Sequence, residues 1–171
     1  MPGYSVLVVD TNILLSSLTE FSALVESGRW TVVVPLPVIM ELDSQANGNA
    51  TPLGQAAEAA LRYITASIRS HSASLKVQTS RGNYLTNLNV RTEQVDFSSS
   101  TWERNMDDLI LRAALWQDEH WVDRSAMLKA DSAKDTAGAA KVVLLSFDRM
   151  REYHPPECVQ ATRTLTPLPK L

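Results

Sequence analysis

The sequence predicts an α/β protein, a parallel sheet covered by helices on both faces. Residues 5–9 (SVLVV) and 141–146 (KVVLLS) are apolar almost throughout, the mark of strands buried on both sides. Such runs alternate with segments whose apolar residues recur at helical spacing, and alternation of this kind pairs strands in parallel through crossovers. Asp10 follows the first run and Asp148 closes the second. In wound parallel sheets, ligands bind outside the carboxyl ends of the strands.

Taken in order, the first strand gives way to a helix from Asn12, with Leu14, Leu18, Phe21 and Val25 spaced i, i+4, i+7, i+11 and Gly28 as its stop. A second strand, TVVV at 31–34, leads to Pro35-Leu36-Pro37. Pro37 suits the first position of a short helix that carries Val38, Ile39, Glu41 and Leu42. The stretch from Asn47 to Pro52 is a turn-rich loop. A longer helix follows on Leu53, Ala57, Ala60, Leu61, Ile64 and Ile68. LKVQ at 75–78 is the third strand, followed by the polar TSRGN, and 84–101 carries no regular pattern. A helix runs from near Asn105 to about Trp121, with Met106, Ile110, Ala113 and Ala114 on one side. Residues 122–140 are expected to form a flexible surface excursion, 141–146 a fourth strand, and 158–163 (CVQATR) a last one.

At 171 residues the chain suits a single domain, 1–171, and its 44% hydrophobic and 20% charged content is that of a globular protein. No apolar run approaches the roughly 20 residues of a membrane span, so no membrane is expected. The N-terminus MPGYS lacks the form of a secretory signal. Cys158 stands alone, which excludes an internal disulfide and points to a reducing compartment, the cytoplasm with the nucleus as a second possibility. With 16 basic and 19 acidic residues the net charge is −3, which argues against gripping nucleic acid by overall positive charge.

Four acids sit at element boundaries: Asp10, Glu41, Asp107 and Asp148. Taken singly each has a bland explanation, such as Asp10 capping the next helix or Asp107 stabilising a helix N-terminus. Together they are harder to dismiss, because VLVVD, PVIMEL and VVLLSFD close apolar sequence around three of them. At about 4 Å and an effective dielectric near 20, two like charges repel by roughly 4 kcal/mol. Hard divalent cations with oxygen ligands remove that cost, and Asp side chains suit a compact Mg²⁺ or Mn²⁺ shell. His71, His120 and His154 are scattered and read as ordinary histidines.

VVDTN, PLPVIMELD, NMDDLIL and VVLLSFDRM, in that order, resemble the four acidic motifs of a PIN-domain ribonuclease. LVESGRW and TSRGNYL extend the likeness over essentially the whole chain. These segments most resemble the PIN domain of the endonuclease of nonsense-mediated mRNA decay, a family also linked to telomerase-associated proteins. The resemblance implies a three-layer α/β/α sandwich with a parallel five-stranded sheet of order 3-2-1-4-5, in which the strands before Asp10 and Asp148 are neighbours. It implies metal or catalytic roles for Asp10, Asp107 and Asp148, with Glu41 as the fourth acid and Asp108 as a supporting one. Close relatives often carry a second acid just before the last Asp, where this chain has Phe147.

The activity so implied is hydrolysis of single-stranded RNA assisted by one or two Mg²⁺ or Mn²⁺ ions. Decay factors would be reached through other domains of a longer protein. Thr11 or Asn12 would orient an acid or the attacking water, and Ser146 would support Asp148. Turn and cap hydrogen bonding explains those three equally well. Arg81, Arg91, Arg104 and Arg149 are candidates to hold the RNA. The alternative is a catalytically weak or inactive PIN domain that serves as a scaffold in RNA decay, against which stand the four intact acids. A phosphate-receiving signalling domain needs an acid pair after the first strand, and a haloacid-dehalogenase-type phosphatase needs D-x-D where this chain has Asp10-Thr11-Asn12.

Overall fold

The computed structural model describes residues 5–47, 51–89, 102–121 (102–105 in backbone only) and 140–147. Four short strands form the parallel part of the sheet: β1 (Val6–Val9), β2 (Thr31–Pro35), β3 (Leu75–Gln78) and, taking its number after one intervening strand, β5 (Val142–Leu145). β4 is the two-residue strand Tyr84–Leu85, and the sheet order is β4-β3-β2-β1-β5. The parallel core therefore has the predicted neighbours, with β1 between β2 and β5.

The sheet is not wholly parallel. β4 pairs antiparallel with β3 at the edge, through Val77 with Leu85 and Gln78 with Tyr84. TSRGN is too short for a crossover and so can only return the chain antiparallel. Within it, Thr79 accepts from Gly82 N–H on its carbonyl at 3.0 Å and from Asn83 N–H on its hydroxyl at 3.1 Å. Gly82 takes φ 87°, a left-handed conformation that glycine adopts without steric penalty. The strand expected at 158–163 and the excursion expected at 122–140, apart from residue 140, lie outside the described residues.

Two faces of the sheet are covered, and alternation along the strands decides which side chain meets which layer. Val9, Val32, Val34, Leu75 and Val77 are buried with α1 (Thr11–Ser16), α2 (Leu18–Glu26), α3 (Leu36–Ala46) and α4 (Pro52–Ser70). Val8 and Val33, on the opposite face, pack with Ala114 of α5 (Trp102–Glu119). These layers make the three-layer α/β/α sandwich.

The first helix breaks where a single helix was expected. Ser17, at φ −140° and ψ 42°, separates α1 from α2, although the stripe of Leu14, Phe21 and Val25 is buried across the break. Gly28 ends the unit at φ 61°, its N–H donating to Val25 O at 3.2 Å. Thr51 caps α4 by accepting from Gly54 N–H at 3.1 Å. The predicted face of α4 is buried except for Leu53, in the first turn, which is 52% exposed. α5 begins at Trp102, about a turn earlier than predicted, and buries Met106, Ile110, Ala113 and Ala114 as expected.

A buried polar group between sheet and helix was not anticipated. Gln78 and Gln117 are nearly inaccessible, and Gln117 Nε2 donates to Gln78 Oε1 and, at 2.8 Å, to the Tyr84 hydroxyl. Gln117 continues the buried helical stripe of Ala113 and Ala114, which is the signal that could have found it.

The two left-handed glycines have unlike surroundings. A Cβ on Gly28 would meet nothing within 4 Å, whereas one on Gly82 would lie 2.0 Å from the Trp116 ring. Gly28→Ala should therefore cost about 1–2 kcal/mol, the penalty of the left-handed backbone alone. Gly82→Ala should cost clearly more, because the indole must also move. Urea denaturation of both variants checks the order.

Candidate metal centre and its hydrogen-bond frame

β1 and β5 run in register, Val9 beside Leu145, and Asp10 N–H donates to Leu145 O at 3.0 Å. Residue 10 therefore emerges from the sheet beside residue 146. Asp10 is the N-cap of α1, and its Oδ1 accepts from Thr11 N–H at 2.7 Å. The capping role is thus real, although caps more often accept from the second or third helical amide. Capping occupies one oxygen. The other, Oδ2, accepts from the Ser146 hydroxyl at 2.6 Å and from Asn12 Nδ2 at 3.1 Å.

Asn12 ties the ends of both strands together. Its Nδ2 also donates to Ser146 Oγ at 3.1 Å, and its Oδ1 accepts from Phe147 N–H at 3.0 Å. The backbone immediately before Asp148 is therefore held by a side chain from the first turn of α1. Thr11, 4% exposed, makes a second link, its hydroxyl donating to Glu41 Oε2 of α3 at 2.5 Å. One threonine thus serves two acids, Asp10 through its amide and Glu41 through its hydroxyl.

Asp107 and Asp108 lie in the second turn of α5, not the first, and both are exposed. A charge that far into a helix gains little from the N-terminal dipole, whose effect fades within the first turn. The earlier start of α5 thus weakens the bland explanation of Asp107. Ile110 belongs to the core that includes Leu36 and Ile39 of α3, and Ala114 lies over Val8 and Val33. Trp121, just beyond the helix, sits beneath Lys141 Nζ at 5.1 Å, at the start of β5. The helix accordingly runs from the carboxyl edge of the sheet towards its amino edge, with Asp107 in its leading half.

Asp10, Thr11, Asn12, Glu41 and Ser146 form one hydrogen-bonded group, in which Ser146, expected to support Asp148, donates to Asp10. Asp148, Arg91 and Arg149 lie outside the described residues, as does the side chain of Arg104. Arg81 is exposed in the turn between β3 and β4, at the same end of the sheet but two strands from β1, about 10 Å sideways.

Among the described residues no group of three or more His, Cys, Asp or Glu forms a site that could hold a metal ion. The donors present at the junction are nonetheless all oxygen. His71 bonds Ser70 at the end of α4 and His120 stacks on Trp116, both away from it. Such a donor set fits a hard cation such as Mg²⁺ or Mn²⁺ and does not fit the nitrogen and sulfur preferences of a structural zinc site. No helix among the described residues is long and apolar enough to cross a membrane.

A wound sheet with acids at the carboxyl edge is the frame of a PIN domain, and the PIN-domain family model matches residues 7–152. The chain belongs to the PIN domain family, whose members are in general nucleases. It is 31% identical over 156 residues to the telomerase-binding protein EST1A of Danio rerio, a match covering 84% of this chain. The chain spans 10% of the length of that relative. A solved domain of a functionally unknown protein from Methanocaldococcus jannaschii is 18% identical with a TM-score of 0.45, covering 92% of this chain and 99% of that one.

Replacing Asn12 with Ala removes the acceptor for Phe147 N–H and two donations, and should cost about 1–3 kcal/mol. Ser146→Ala should also destabilise, and the double variant should lose clearly less than the sum because the residues share partners. Urea unfolding of the three proteins measures the coupling.

Proposed function

We propose that this domain is a metal-dependent endoribonuclease that hydrolyses phosphodiester bonds of single-stranded RNA. Its place would be mRNA quality control, in nonsense-mediated decay, in the cytoplasm, with decay factors engaged by other domains of a longer protein. The observation that carries the proposal is the junction at Asp10, where a carboxylate is tied to Glu41 through Thr11 and to the strand end that precedes Asp148. Membership of a family of nucleases supports it.

In this account Asp10, Asp107 and Asp148 hold Mg²⁺ or Mn²⁺, and Glu41 contributes negative charge beside them. When bound, the cation neutralises charge on the phosphate and makes water a better nucleophile near neutral pH. The protein's own part is positional. Ser146 and Asn12 fix the Oδ2 side of Asp10, while Thr11 keeps the Glu41 carboxylate at a set distance from it. Asp108, next to Asp107, supports that acid from the same helix. Arg81, Arg91, Arg104 and Arg149 meet the phosphates of the strand. Because such a centre must admit a bent, exposed backbone, unpaired RNA is preferred to duplex.

The purified domain should cleave single-stranded RNA with Mn²⁺ and stop with EDTA. An inactive scaffold would bind RNA or protein without cutting. Asp107→Asn is the most informative variant because its side chain is exposed, so its loss should change stability by no more than about 0.5–1 kcal/mol. Cleavage should nevertheless fall by about two to three orders of magnitude, as expected where a metal ligand contributes several kcal/mol. A variant that cuts at the wild-type rate would show that Asp107 has no part in the chemistry.

A further inference from the structure

We propose that Phe147 is a stacking platform for an unpaired base of the RNA, set beside the acidic centre. This rests on the nuclease proposal above and adds a substrate-binding residue to it. Three large hydrophobic residues among those described are markedly exposed: Leu53, Tyr84 and Phe147. Leu53 is in the first turn of α4, and the Tyr84 hydroxyl and ring are engaged by Gln117 and Lys76. Phe147 is 50% exposed, and its position sets it apart.

It follows Ser146, whose hydroxyl donates to Asp10 at 2.6 Å, and its own N–H donates to Asn12 Oδ1 at 3.0 Å. The main chain that carries the ring is therefore fixed to the acid centre on its amino side, and Asp148 follows directly. A ring in that place cannot ligate a cation or accept a hydrogen bond from water as a carboxylate would. It offers an apolar π face. Nucleic-acid bases stack on such faces whatever their identity, and only unpaired bases have a face free to do so.

Charge makes the same demand from another side. With 16 basic and 19 acidic residues, the chain has little general attraction for phosphates, and at the junction Thr11 links the carboxylates of Asp10 and Glu41. Affinity drawn from phosphate neutralisation alone would be weak and would fade with salt. Stacking supplies a hold that salt barely alters. Phe147 would thus keep a base next to the centre while the phosphate backbone crosses it, reading strandedness and not sequence.

The test uses the whole chain, with Phe147→Ala and Phe147→Trp. Affinity for a fluorescent single-stranded RNA is measured in EDTA, where nothing is cut, and steady-state cleavage is measured in Mn²⁺. Phe147→Ala should bind about tenfold more weakly, from the loss of one base–aromatic stack, at low and high salt alike. The matching loss of kcat/KM should fall on KM. Phe147→Trp should restore binding, and on a strand of the same length made of abasic nucleotides wild type and Phe147→Ala should bind equally. Unchanged RNA binding by Phe147→Ala, failure of Trp to restore it, or an equal deficit on the abasic strand would overturn the proposal while wild-type cleavage leaves the nuclease assignment intact. If wild type does not cleave, the assignment on which the proposal rests falls, and the proposal falls with it.

Discussion

The parallel ladder between β1 and β5 joins residues far apart in the chain, and the geometry of the site depends on it. Ser5 Oγ donates to Ala140 O at 2.8 Å at one end, and Asp10 N–H donates to Leu145 O at 3.0 Å at the other. Adjacent strands lie about 4.8 Å apart, so fixing this register brings the side chains that leave both strand ends within hydrogen-bonding reach. Ser146 then meets Asp10 across 136 positions of sequence. A slip of β5 by one residue would turn Leu144 away from α5 and separate Asp10 from Ser146 at the same time. Core packing and site geometry are therefore one constraint.

Asp10 serves fold and site together. Its Oδ1 caps α1, and a helix of six residues needs that help. Its Oδ2 is engaged by side chains that no cap requires. A carboxylate fixed on both oxygens loses little freedom on binding a cation, and in the proposed centre the frame of Thr11, Asn12 and Ser146 would prepare Asp10 for that use.

Much of this was legible in the sequence, for identifiable reasons. SVLVV, TVVV and KVVLLS are uniform enough to mark buried strands, LKVQ alternates Leu75 and Val77 with polar residues, and the stripe through Met106, Ile110 and Ala113 marks the inner face of α5. Asp10, Thr11, Asn12 and Ser146 could be nominated because each adjoins the end of a strand, and Glu41, in the middle of α3, because apolar sequence surrounds it. β4 was not legible, since two residues carry no period and its pairing is decided by the turn at Gly82. The break at Ser17 was hidden because the apolar stripe continues across it. The α5 start was misplaced by a turn, which moved Asp107 off the helix terminus. The Thr11–Glu41 bond and the exposure of Phe147 are tertiary facts, set by which elements meet, and no local pattern encodes them.

The central claim is that acids from separate elements converge on one cation. A crystal soaked in Mn²⁺, with data collected to locate the ion by its anomalous scattering, tests it most directly. The account predicts manganese at the carboxyl edge of the sheet, with carboxylate oxygens of Asp10, Asp107 and Asp148 at about 2–2.6 Å from one or two ions. Manganese bound elsewhere, or carboxylates of Asp10 and Asp148 turned to opposite edges of the sheet, would contradict it.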